Sequence, residues 1–233
     1  MTSPARKHFE KTTAALQAEE GSGQERSLAN ANQYELMLVK LAADKRRLSE
    51  TQSMEARAVI KRELLPDYTA WVDGVIEGDQ GVQDNVLMTV MVWHIDAGNL
   101  AEAIKIAAYA IKHKLKMPDQ YQRQTAVVIA EEIADFYLKA HNAKEPIDIE
   151  IIRKAMDVTL DQDMPDEVKA KLYKVLGYAL LTDESLVPYE LTRLNYALDC
   201  FTRAYKLHEK SGVKKDIEYV QRQLKNLAAQ TAA

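Results

Sequence analysis

The feature that most constrains this chain is the stretch from Tyr34 to Leu65, which contains neither glycine nor proline and is followed at once by Pro66. Read as one helix it would be about 48 Å long, well beyond the usual globular helix. On a helical wheel Tyr34, Met37, Leu38, Leu41, Leu48 and Val59 share one arc. Lys40, Arg47, Lys61 and Arg62 share the opposite arc, with Arg46 and Arg57 on its shoulder. One face suits packing on protein and the other offers cations to a partner, which points to binding or assembly rather than catalysis.

The rest of the chain is equally helix-friendly. Its 233 residues include 47% hydrophobic side chains but only 8 glycines and 6 prolines. Segments alternating with period two are few, so the expected class is all-α. About nine helices are expected after a polar tail at 1–33. The long helix and a short one through Trp71 occupy 34–81, a body of antiparallel helical hairpins fills 82–228, and 229–233 is a disordered end. Asn99 with Glu102 has the spacing of a capping box. Asp148, Pro118 and Pro165 mark further helix starts, the Pro118 helix running through Tyr121, and Pro188 closes a loop that begins after Ala179. Two faint tetratricopeptide-like spacings support helix pairs and no strict repeat.

The net charge of −4 argues against a general polyanion binder, but its distribution is uneven. Seven Lys/Arg face three acids between Lys40 and Arg62, and the same ratio recurs between Arg203 and Lys225. The second segment contributes Arg203, Lys206, Lys214, Lys215 and Arg222 as secondary DNA-binding candidates. Two basic segments around an acidic body suit limited phosphate contacts, and equally suit solvated helix faces.

Little in the chain carries chemistry. A metal-dependent nuclease needs converging carboxylates. The densest acidic run supplies Asp157, Asp161 and Asp163 as weak catalytic candidates, with Asp166 and Glu167 beside them. These lie at a helix end and a helix start, where acids are expected for other reasons. No HExxH, phosphate-binding glycine loop or dinucleotide fingerprint occurs. No cofactor is expected, and a divalent metal enters only if the nuclease alternative holds. Trp71 and Trp93 fall in apolar stripes and are expected in the core. The single Cys200 fits a reducing compartment, and no apolar run approaches a membrane span, so the cytoplasm is the expected location.

The blocks YELMLVKLAADKRRL, KRELLPDYTAWVDGV, QDNVLMTVMVWHIDAG, MPDEVKAKLYKVLG and GVKKDIEYVQRQLK, with MTSPA at the start, resemble the small terminase subunit of P-two-like temperate tailed phages. The resemblance spans nearly the whole chain. It implies recognition of double-stranded phage DNA, assembly into a ring-like homo-oligomer, and regulation of a large terminase subunit that supplies the ATPase motor. It also brings the label of endonuclease subunit, for which the residues offer no site. One departure is the neutral ending NLAAQTAA in place of a basic tail, which shifts weight onto the two basic segments. No helix-turn-helix is evident, the nearest candidate being the Pro66 turn. A metal-dependent endonuclease cutting cohesive ends and a helical-repeat adaptor binding only protein remain the alternatives.

Overall fold

The computed structural model describes residues 28–118, 123–182 and 190–231. Most of the expected tail lies outside these residues, as do Tyr121, Val187 and Pro188. Among the described residues every regular element is helical: ten α-helices and two short 3-10 turns, with no strand. The chain divides into two compact units that meet between Thr125 and Ala126. The expected border at 81/82 therefore falls inside the first unit.

The first unit corrects the reading of one long helix. Helix α1 spans Leu28–Ser49 and α2 spans Met54–Leu64. The residues between them, Glu50 to Ser53, are all polar, and Thr51 and Ser53 carry short hydroxyl side chains that compete with the helical ladder. Ser49 Oγ donates back to the Arg46 carbonyl at 2.7 Å. Ser53 sits in extended backbone and its Oγ accepts the Ala56 N–H at 3.3 Å, so it caps a new helix. The two helices then fold back on each other. Arg47 and Glu63, sixteen positions apart, form an ion pair at 2.8 Å, whereas in a continuous helix they would be ~24 Å apart along the axis. Neither glycine nor proline was needed to end α1.

Pro66 opens a 3-10 turn, Leu65–Asp67, that leads into α3 (Thr69–Gly78). Helix α4 (Asn85–Asp96) is the centre of this unit: Val86, Leu87, Met88, Val90 and Met91 are all fully buried. Both α1 and α2 pack on it, as do α3 and α5 (Leu100–Lys112). Trp71 and Trp93 are buried as expected. Trp71 stacks on Tyr34 and donates its Nε1–H to Asp84 Oδ2 at 2.9 Å. The other oxygen of Asp84 accepts the Leu87 N–H at 2.8 Å and caps α4, so one carboxylate joins two helices. Gly98, in the left-handed region at φ 80°, makes the turn to α5. The expected capping role of Asn99 is not seen, since its side chain makes no cap bond.

The second unit is built from α6 (Thr125–Ala143), α7 (Ile149–Thr159), α8 (Asp166–Thr182), α9 (Glu190–Leu207) and α10 (Lys214–Thr231). Helix α6 starts at Thr125, not at Pro118, which lies in irregular chain. Asp148 caps α7 by accepting the N–H groups of Glu150 and Ile151. Pro165 immediately precedes α8, as its spacing implies. Gly177 lets α8 approach α9 closely: a Cβ there would meet the Phe201 ring at 2.6 Å. Phe201 and Ala204 on α9, with Val213 and Val220 at and within α10, form a fully buried seam. Cys200 lies beside them, and burial pushes its thiol up to about 12.

Candidate nucleic-acid interface

The cations expected to face DNA from α1 and α2 mostly hold the first unit together. Lys40 pairs with Asp44 at 2.7 Å and Asp67 at 3.2 Å, and lies over the Tyr68 ring. Tyr68 OH donates to the same Asp44 carboxylate at 2.6 Å. Burial first, and then that acidic neighbour, drive the phenol well above its ordinary pKa. Lys61, only 13% exposed, pairs with Asp96 at the end of α4. Arg62 Nε donates to the Ala97 carbonyl at 3.0 Å, and Arg57 Nε to the Thr51 carbonyl at 2.5 Å. Arg47 is held by Glu63. Of the six predicted residues only the exposed Arg46 has a side chain with no partner among the described residues. Its neighbour Lys45 is exposed too. Arg57 and Arg62 bond to neutral carbonyls and keep uncompensated charge.

Helices α9 and α10 present the opposite case. Arg203, Lys206, Lys214, Lys215 and Arg222 are all exposed, as are Lys210 and Lys225. None of these forms an ion pair among the described residues. Lys214 Nζ lies 5.1 Å from the Tyr205 ring centre, a contact that orients the ammonium without neutralising it. At the same end, Lys174 donates to the Ser211 carbonyl at 2.7 Å, adding a cation to the turn between α9 and α10. One residue here escaped the sequence reading: Tyr219 on α10 is 49% exposed between Lys215 and Arg222. Its signal was available in the four- and three-residue spacing to those cations.

The acidic candidates do not converge. Asp157 lies in α7, and Asp161 and Asp163 lie in the connection to α8, all exposed. Among the described residues no group of three or more His, Cys, Asp or Glu is placed to hold a metal ion. Glu131 and Asp135, on α6, instead receive Lys171 at 3.3 and 3.0 Å. His94 is largely buried, and burial keeps its imidazole below the ordinary value; its Nδ1 has no hydrogen-bond partner. No helix among the described residues is long and apolar enough to cross a membrane.

Comparison with known proteins closes the question of family. Residues 38–167 match the family model described as the phage small terminase subunit. The chain is 42% identical over 225 residues to the "Terminase, endonuclease subunit" of Escherichia phage P2, covering 97% of this chain and 87% of that protein. It is 22% identical over 205 residues to the "Probable terminase, endonuclease subunit" of Haemophilus phage HP1, covering 85% of this chain and 73% of that one. No solved structure matches. The chain, all-helical in its described parts and carrying an unpaired basic surface on α9 and α10, belongs to the phage small terminase subunit family.

Proposed function

We propose that this chain is the DNA-recognition component of a phage packaging terminase. It would act in the host cytoplasm as a homo-oligomer that binds double-stranded phage DNA and regulates a large subunit supplying the motor. Family membership supports the role in phage DNA packaging. The observation that carries the contact itself is the set of exposed, unpaired cations Arg203, Lys206, Lys214, Lys215 and Arg222. Side chains of this kind release counterions from phosphates and position a duplex without reading its sequence. In this reading Lys40, Arg47 and Lys61 serve the architecture of the first unit, while Arg46, Arg57 and Arg62 add a weaker positive field.

The test is DNA retention by the full chain across a salt series, with charge reversals in each basic region. Reversal on α9 and α10 is expected to weaken binding and flatten its salt dependence. Unchanged binding there would remove this surface as the contact. Light scattering tests assembly, and a strict monomer at working concentration would count heavily against the oligomer.

The names of both relatives favour one further reading, a metal-dependent endonuclease in which Asp157, Asp161 and Asp163 take part. The purified chain incubated with Mg²⁺ or Mn²⁺ and concatemeric phage DNA decides it. Cleavage that requires the large subunit would assign the activity to the complex.

A further inference from the structure

Helix α10 buries Val220 completely, and Ile217 and Leu224 pack against the same core, while the residues on its far side have no such duty. Tyr219 belongs to that far side. It is 49% exposed, so the core does not account for an aromatic ring at this position. Lys215 stands one turn before it and Arg222 one turn after, both exposed and neither in an ion pair among the described residues. Residues at this spacing share one helix face. The two cations are displaced from the ring by ~6 and ~4.5 Å along the axis, so they straddle it about 10.5 Å apart.

The exposed Glu218 adjoins the ring on this face without forming an ion pair among the described residues, which leaves the face with two cations against one acid. A flat ring with a cation one turn to each side has a definite chemical complement. Every nucleobase offers a π-face, and its flanking phosphates offer the negative charges. In continuous duplex those faces are covered by neighbouring base pairs, so a tyrosine on a helix surface gains nothing there unless the stack is opened. The cations, by contrast, serve duplex and single strand alike. We propose that Lys215, Tyr219 and Arg222 form a cradle for an unpaired DNA base and its flanking phosphates, giving this face a preference for single-stranded segments or strand ends. The inference rests on the DNA-binding reading above and narrows its ligand.

The test is fluorescence anisotropy of the full chain with three labelled probes of equal length: a single strand, an abasic single strand and a blunt duplex. The single strand should bind more tightly than its abasic counterpart. Tyr219→Ala should lower single-strand affinity about five-fold or more, leaving abasic and duplex binding unchanged. Tyr219→Phe, which keeps the ring, should restore it, whereas Lys215→Ala should weaken all three probes. Circular dichroism reports whether each variant keeps its helices. Tyr219→Ala with unaltered single-strand binding, or with equal loss on every probe, overturns the cradle while leaving the duplex contact standing. Binding to no probe overturns both.

Discussion

The two basic regions of this molecule have the same arithmetic and opposite fates. In α1 and α2 most of the cations, Lys45 and Arg46 excepted, are held by acids or backbone carbonyls, and several of these bonds join elements far apart in sequence. In α9 and α10 the cations project from a helix pair whose core is already complete, and nothing among the described residues neutralises them. A local charge count therefore says how much positive charge a segment holds, not whether a partner can use it. What decides is the supply of acids within reach after folding. The first unit brings Asp44, Glu63, Asp67 and Asp96 to its cations. On α10 the exposed Glu218 stands three residues after Lys215 and four before Arg222, yet neither cation forms an ion pair among the described residues.

The largest expected effect tests that contrast directly. Replacing Lys206, Lys214, Lys215 and Arg222 together by Glu should cut DNA affinity by about a hundred-fold and lower the salt slope by about three to four. Replacing Lys40, Arg47 and Lys61 by Gln should leave affinity within about two-fold. Gel retardation over a salt series measures both, and equal losses would erase the distinction. Next comes the seat of the exposed pair. Gly177→Ala drives a methyl group into the Phe201 ring and should cost about 2 kcal/mol of stability without removing any cation. Urea unfolding checks it, and a neutral result would mean that α8 and α9 separate easily.

Lys61→Ala strips Asp96 of its partner and should destabilise by about 1–2 kcal/mol, whereas Lys215→Ala should stay within about 0.5 kcal/mol. A Lys215→Ala cost as large as that of Lys61→Ala would show that α10 hides a partner for its lysine. The smallest effect concerns pH. His94 in the first unit and His141 in the second are both held below the ordinary imidazole value, in each case chiefly by burial. The folded chain therefore binds fewer protons there than the unfolded chain. This contribution to stability is complete above about pH 6.5 and is lost as pH falls toward the depressed folded values. His94→Gln should flatten the decline of urea midpoints between about pH 7 and 5, and an unchanged slope would exclude His94 as a source.

Much of the fold was legible in the sequence, because the apolar period of α4, α5, α8 and α9 is regular and the starts of α7 and α8 carry a recognisable cap and proline. Asp148 and Pro165 did what their positions imply. The break between α1 and α2 was not legible from glycine or proline, since Ser49, Thr51 and Ser53 end one helix and begin the next through side-chain hydrogen bonds. Those residues are tolerated inside helices, and only the tertiary pairing of Arg47 with Glu63 shows which conformation wins. The candidate interface was half legible. Charge and spacing located both basic segments, but partners such as Asp96 and the Ala97 carbonyl lie thirty-five positions away from the cations they hold. Tyr219 was passed over because one tyrosine in an amphipathic helix looks like core until its exposure is known.

Cys200 gives the chain an unplanned experimental asset. It is the only cysteine, it lies in the α8–α9–α10 core, and burial raises its thiol to about 12, so almost no thiolate exists at neutral pH. The native protein is thus close to silent toward maleimides and other thiol reagents. A reporter attached after Gln221→Cys, beside Arg222 on exposed α10, would be singly labelled without first removing the native cysteine. Dye and spin-label spectroscopy could then follow that surface as DNA arrives.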